Sequence, residues 1–170
     1  MKSSFGDLGL GLALAIILAF LIIMPLFRSF RQPLIIIATF PLGIIGVALL
    51  MWTTDTNLNI QSIMGIIMMV GIAVSYGNIL MDRINSLIKV GIAKKEAIVN
   101  GSSDRFRPVL MTAATTIFGL LPTALATSPG TEANVPLAIA VIGGTFMATI
   151  LTLYIIPIMY SLIATKNKTV

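Results

Sequence analysis

From Leu8 to Phe27 the chain passes through twenty residues without a single charge, and four more uncharged apolar stretches follow. They are about Pro33–Trp52, Ile60–Met81, Val109–Thr127 and Val135–Ile163. A helix that crosses a bilayer needs roughly 20 consecutive apolar residues, and each stretch meets or nearly meets that length. The expectation is an all-α membrane protein: one transmembrane domain over residues 1–170, with spans about 8–27, 33–52, 60–81, 109–127 and 135–163. The prolines and glycines within and beside these runs fit membrane helices, where neighbouring helices satisfy the freed backbone groups.

Composition agrees. The chain is 57% hydrophobic and 10% charged, with a mean hydropathy of +1.03, whereas a soluble domain is about a quarter charged. The net charge of +5 raises the question of nucleic acid. The basic residues, however, flank apolar segments and form no aromatic-interleaved patch, so no nucleic-acid partner is expected. With no cysteine and no histidine, disulfides and the usual zinc sites are excluded. Lys2 is the only base near the N-terminus, and the run behind it is long enough to span, unlike a cleavable signal peptide.

The connections alternate in charge. Arg28 and Arg31 occupy the first, Asp55 the second, and Glu132 the fourth. The third holds Arg83, Lys89, Lys94, Lys95, Arg105 and Arg107, and the tail holds Lys166 and Lys168. Every Lys and Arg except Lys2 therefore falls on one side, expected to be cytoplasmic. The N-terminus is then outside, an arrangement that suits a piece of a longer chain. In the third connection, residues 92–101 read as an amphipathic cytoplasmic surface helix with Ile92, Ala93, Ala97 and Ile98 on one face. Gly101 and two serines are expected to end it, Ser103 or Asp104 to cap the next helix, and Pro108 to occupy its first turn.

Residues three and four apart share a helix face. Gly71, Ser75, Asn78 and Asp82 thus form one polar stripe on the third span. The fourth span carries Thr112, Thr115, Thr116, Gly119 and Thr123; the fifth carries Gly144, Ala148 and Thr152, with Thr145 and Thr149 alongside. Small residues let helices approach and hydroxyls bond across the contact, so packing alone accounts for most of these positions, with Gly71, Gly119, Gly144 and Ala148 as the packing candidates. Asn78 is different: an amide deep in a span is costly unless paired. Asp82 lies where a solvated carboxylate needs no function, and for Tyr76 packing competes with chemistry. Met64, Met68 and Met69 cluster on the third span; thioethers bind Cu(I), but methionine is also an adaptable filler, and no metal or cofactor is expected. Nothing resembles a catalytic constellation, and Leu8–Ala15, though glycine-rich, follows no strand and is no nucleotide fingerprint.

Several phrases in order resemble one family. "FRSFRQPLIIIATFPLGIIGV", "MVGIAVSYGNILMDRIN", "GIAKKEAIVNGSSDRFRPVLMTAATTIFGLLPTAL" and "PLAIAVIGGTFMATILTLYIIPIMYSLI" are similar to helices eight to twelve of resistance–nodulation–division (RND) efflux transporters. "RFRPVLMT" with "PLAIAVIGG" is the specific part. The resemblance implies part of one half of a twelve-helix bundle, in a homotrimer of the bacterial inner membrane, working with a periplasmic adaptor and an outer-membrane channel. Inward proton flow would drive export of drugs or other toxic compounds, through an aspartate pair carried by the missing N-terminal half. Carried over residue by residue, the relay threonine matches Thr112 and the relay arginine Arg105. The lysine of multidrug members falls on Ser75, and the asparagine often beside it on Tyr76. This departure alters the relay, since serine can only hydrogen-bond. Asn78 joins the relay candidates through its place on the stripe. The metal-exporting branch usually has a glutamate near this point and none is present, which points to the multidrug or hydrophobe type. The other reading is a truncated or decayed remnant, or a scaffold, that transports nothing.

Overall fold

The computed structural model describes residues 2–27, 31–37, 39–127 and 130–165. Arg28, Lys166 and Lys168, which entered the charge pattern, lie outside the described residues. Six α-helices follow in chain order: α1 (Lys2–Phe27), α2 (Arg31–Ile37), α3 (Phe40–Thr53), α4 (Ile60–Lys89), α5 (Lys94–Ala124) and α6 (Val135–Thr165), with a 3₁₀ turn at Glu132–Asn134 before α6. No strand occurs among the described residues. Two helices are long and apolar enough to cross a membrane, over Ile60–Lys89 and Glu132–Ser161. The apolar parts Gly9–Pro25 and Gly43–Thr53 are shorter.

Three boundaries differ from those expected. The second run is two helices, not one. Thr39 turns the chain between them, its Oγ1 donating to the Ile36 carbonyl at 2.6 Å, and Pro41 starts α3 where a missing N–H costs nothing. The third run continues well beyond Met81. It begins at a capping box, in which Asn59 Oδ1 accepts from the Ser62 N–H and Ser62 Oγ accepts from the Asn59 N–H. It persists to Lys89 because Leu80, Met81 and Ile84 stay buried while Asp82 and Ser86 face outward. Finally, the surface helix and the fourth span are one helix, α5, which runs through Gly101, Ser102, Ser103 and Pro108.

The expected break in α5 does not occur, and Gly101, Ser102 and Asp104 each have another partner. A β-carbon on Gly101 would lie 2.9 Å from Ile84 Cγ1 and 3.2 Å from Ile84 Cα, so this glycine serves a close crossing of α4. Ser102 donates back to the Ile98 carbonyl at 2.7 Å. Asp104 caps nothing: its Oδ2 accepts from Arg83 Nε at 2.9 Å and Nη2 at 2.6 Å, tying α5 to α4.

Three helices end in the same backbone motif. After α4, the Gly91 N–H donates to Ile88 O and the Ile92 N–H to Leu87 O, with Gly91 at φ +94°. The ends of α3 and α5 repeat the pattern with Asp55 (φ 48°) and Ala126 (φ 49°) in the left-handed position. This is the Schellman arrangement, which satisfies carbonyls left over at a helix end.

Helix α4 is the centre: it touches α1, α2, α3, α5 and α6. One core cluster, including Phe40, Val47, Met69, Ala73, Ala140 and Ala148, joins α3, α4 and α6. A second, with Ile23, Ile36, Leu80, Ile84, Ile98 and Ile156, closes the other end. Helices α3 and α6 meet backbone to backbone. A β-carbon on Gly143 would sit 2.7 Å from the Gly46 carbonyl oxygen, and one on Gly46 would sit 2.5 Å from the Gly143 oxygen.

Candidate functional site

The polar stripe of α4 forms on one face of the central helix, and that face is largely uncovered. Gly71, Ser75 and Asp82 are exposed and Asn78 is half-buried. Ser75 Oγ donates to the Gly71 carbonyl at 3.0 Å, one turn back on its own helix. The Asn78 Oδ1 atom is buried and has no hydrogen-bond partner. It lies in a cleft of about 280 Å³ between α4 and α1, lined by Ala15, Leu18, Ile22, Val70 and Val74 among others. All of those neighbours are apolar, so the lone pairs of the amide oxygen meet no donor there.

Tyr76, one residue on from Ser75, points elsewhere. It is buried against Val109, Ala113 and Leu153, filling the seam among α4, α5 and α6. Of its two readings, packing describes its surroundings.

On α5, Arg105 and Thr112 are seven residues apart and share a face, two turns from one another. Thr112 is exposed, and its Oγ1 donates to its own helix, with Pro108 O at 3.1 Å and Val109 O at 2.9 Å. Thr115 and Thr116 likewise bond back to Met111 O and Thr112 O. Arg105 is half-buried, with its Nε buried and unpartnered. Among the described residues no hydrogen bond joins Ser75 or Asn78 of α4 to Arg105 or Thr112 of α5. The two sets stand on adjacent helices, and Asn78 Oδ1 and Arg105 Nε have no partner among the described residues.

The packing candidates divide. Gly144 and Ala148 are buried where α6 meets α3 and α4; a β-carbon on Gly144 would run into Met69 and Val47. Gly71 and Gly119 are exposed, with nothing within 4 Å of where a β-carbon would stand, so neither marks a close helix crossing among the described residues; Gly71 borders the cleft between α4 and α1. Close contacts that periodicity did not single out lie at Gly46, Gly143, Gly65 and Gly77. The signal for the first two is the pair of small positions in "PLGIIG" and "IGG", which only a helix rotation can turn toward one another. Thr149 donates to Thr145 O at 2.7 Å, and the hydroxyls of Thr145 and Thr152 are buried without partners. At the far end, Tyr160 Oη donates to Asn85 Oδ1 at 2.9 Å, linking α6 to α4. No group of three or more Asp, Glu, His or Cys able to hold a metal occurs among the described residues.

Comparison with known proteins gives these features a context. The AcrB/AcrD/AcrF family profile matches residues 2–164. The swarming motility protein SwrC of Bacillus subtilis is 33% identical over 169 residues, 99% of this chain and 16% of that protein. The cobalt-zinc-cadmium resistance protein CzcA of Cupriavidus metallidurans is 32% identical over 168 residues, 99% of this chain and 16% of that protein. The multidrug resistance protein MdtC of Photorhabdus laumondii is 37% identical over 147 residues, 86% of this chain and 14% of that protein. A crystal structure of a heavy metal efflux pump superposes with a TM-score of 0.81 at 34% identity, covering 96% of this chain and 16% of that one. The chain thus spans about a sixth of the length of the relatives it matches.

Proposed function

We propose that this chain, which belongs to the AcrB/AcrD/AcrF family of RND transporters, is the C-terminal membrane part of a proton-driven efflux pump. In this reading it crosses the inner membrane five times, through α1, α2 with α3, α4, the second half of α5, and α6. Its N-terminus is periplasmic and its C-terminus cytoplasmic. The missing N-terminal half lies against the α4–α5 face and brings the aspartates that take up protons. The full pump works as a homotrimer with a periplasmic adaptor and an outer-membrane channel, and exports drugs or other toxic compounds.

The observation that carries this reading is the buried Asn78 Oδ1 with no donor, on a central helix whose polar face is otherwise open. A buried acceptor without a partner costs about 1–3 kcal/mol, and an amide at membrane depth needs protein or water beside it. A second half-bundle supplies both. In this reading Ser75, Arg105 and Thr112 stand at the junction with the missing half, as the proposed proton relay. Ser75 contributes a hydroxyl where a lysine would contribute charge.

The relatives divide between metal and multidrug resistance at similar identity, and the uncharged third span favours the drug type. The test is the full-length transporter in proteoliposomes, loaded with a fluorescent dye or with Zn²⁺ and given a pH gradient. Dye movement that collapses with the gradient is the expected result. Zn²⁺ movement without dye movement would place the substrate in the metal class. A gradient that drives neither would leave the chain as a non-transporting remnant.

A further inference from the structure

A second feature lies away from the relay, on the outer side of the α5–α6 seam. The two helices run antiparallel, so Phe106 stands near Tyr154 at one end and Ile117 near Ile142 and Gly143 at the other. Each end opens into a cavity. The first, about 300 Å³, is lined by Ser102, Ser103, Phe106, Arg107, Leu153 and Tyr154. The second, about 290 Å³, is walled almost wholly by apolar groups and lies where α3 meets α6, lined by Leu49 and Leu50 of α3 and Ile142, Phe146 and Met147 of α6, with Ile117 reaching it from α5.

Between the two cavities each helix carries apolar side chains at helical spacing. On α6, the exposed Phe146, Ile150 and Tyr154 follow at intervals of four; on α5, Phe106 and Leu110 are exposed and Ile117 is half-buried. Tyr76, Val109, Ala113 and Leu153 close the seam toward α4, so the groove opens outward. From Phe106 to Ile117 is eleven residues, about 16 Å at ~1.5 Å per residue. That is about half of a hydrocarbon core ~30 Å thick, the depth of one leaflet.

The polar end has a definite charge. Arg107 is exposed and paired with no carboxylate among the described residues; Asp104, the nearest acid in sequence, is held by Arg83. Ser103 and the Tyr154 phenol lie beside it, and Lys94 and Lys95 are exposed on the same helix. Phosphate accepts from guanidinium and hydroxyl groups together. Tyrosine is favoured at the level where headgroups meet hydrocarbon.

We infer that the α5–α6 groove is a binding site for an anionic phospholipid, its phosphate held by Arg107 and Ser103 beside Tyr154, and one acyl chain running along Leu110 and Ile150 to the cavity at Phe146 and Ile117. The occupant is a lipid because a basic, hydroxyl-bearing end followed by an apolar run about one leaflet long matches an anionic head and a hydrocarbon tail. The site requires a bilayer around the chain and does not depend on proton coupling or on the exported substrate.

The test uses the full-length transporter carrying this chain. It is reconstituted with equal amounts of phosphatidylglycerol and phosphatidylcholine, extracted into mild detergent and weighed intact by mass spectrometry. Phosphatidylglycerol should be retained in preference. Arg107→Gln should lower its retention about ten-fold or more, the effect of losing a hydrogen bond to a charged group, and Arg107→Lys should recover part of it. A second measurement needs no substitution. Phosphatidylglycerol with a photoactivatable acyl chain should cross-link within residues 106–118 and 142–154. Equal retention of the two lipids, undiminished retention in Arg107→Gln, or cross-links confined to other helices would each overturn the assignment.

Discussion

At the scale of single residues, the hydroxyls are the informative groups. Thr112 Oγ1 is held by two carbonyls of its own helix, a bond it can release when a better acceptor arrives, because those carbonyls keep their intrahelical partners. In the full-length pump, Thr112→Val keeps the shape and removes that donor. A hydrogen bond to a charged group contributes roughly 1.5–3 kcal/mol, so most proton-coupled dye efflux should be lost at equal protein levels. Ser75→Ala should lose less, since a neutral serine bonded to Gly71 O carries no charge compensation. Dye efflux energised by a pH gradient decides this; a larger loss in Ser75→Ala reverses the two roles. Asn78 was legible as a costly amide from its place in an uncharged run, and its oxygen is indeed buried without a donor. The Arg83–Asp104 pair was not legible. Its members are 21 positions apart in sequence and meet only because α4 and α5 cross at Gly101. Both ends are more than a third exposed, so Asp104→Asn should change stability by less than about 1 kcal/mol, measured as the midpoint of thermal unfolding in detergent.

At the scale of elements, hydropathy located the helices but misjudged where they stop. The fifth run became α6 almost residue for residue. In the second and fourth runs, turn chemistry and tertiary contact competed. Thr39 turned the chain and Pro41 started a new helix, whereas Gly101 and Ser103, expected to end one helix, and Pro108, expected to start the next, lie inside a single helix. Local preferences of about 1 kcal/mol per residue yield when a glycine is needed for contact with Ile84. Capping motifs were equally hidden, because the left-handed position after α5 is filled by Ala126, which carries no turn signal. A left-handed alanine costs about 1–2 kcal/mol, so Ala126→Gly should raise the thermal midpoint of the full-length protein, while Gly91→Ala, the mirror change after α4, should lower it. A fall in Ala126→Gly would mean that the Schellman geometry is absent there.

At the scale of the whole molecule, the loops carry the information about sidedness. If the basic connections are cytoplasmic, single cysteines at Asn57 and Glu132 should react with an impermeant thiol reagent in cells whose outer membrane has been made permeable. Cysteines at Lys94 and Ser103 should react only after the inner membrane is opened. Labelling of Lys94→Cys in sealed spheroplasts would invert the topology. The bundle also has an uneven mechanical build. Where Gly46 and Gly143 press carbonyl against α-carbon, neither helix has room to slide, so α3 and α6 form a strut that moves as one piece. Helix α1 meets α4 across an apolar cleft of about 280 Å³, and among the described residues no glycine brings those two backbones together. The expectation is that rocking between helices bends at the α1–α4 joint and leaves the glycine contact of α3 and α6 intact. A short bifunctional thiol linker between Leu50→Cys and Met147→Cys should leave a full-length pump running, and one that ties Leu18→Cys to Ile67→Cys should stall it.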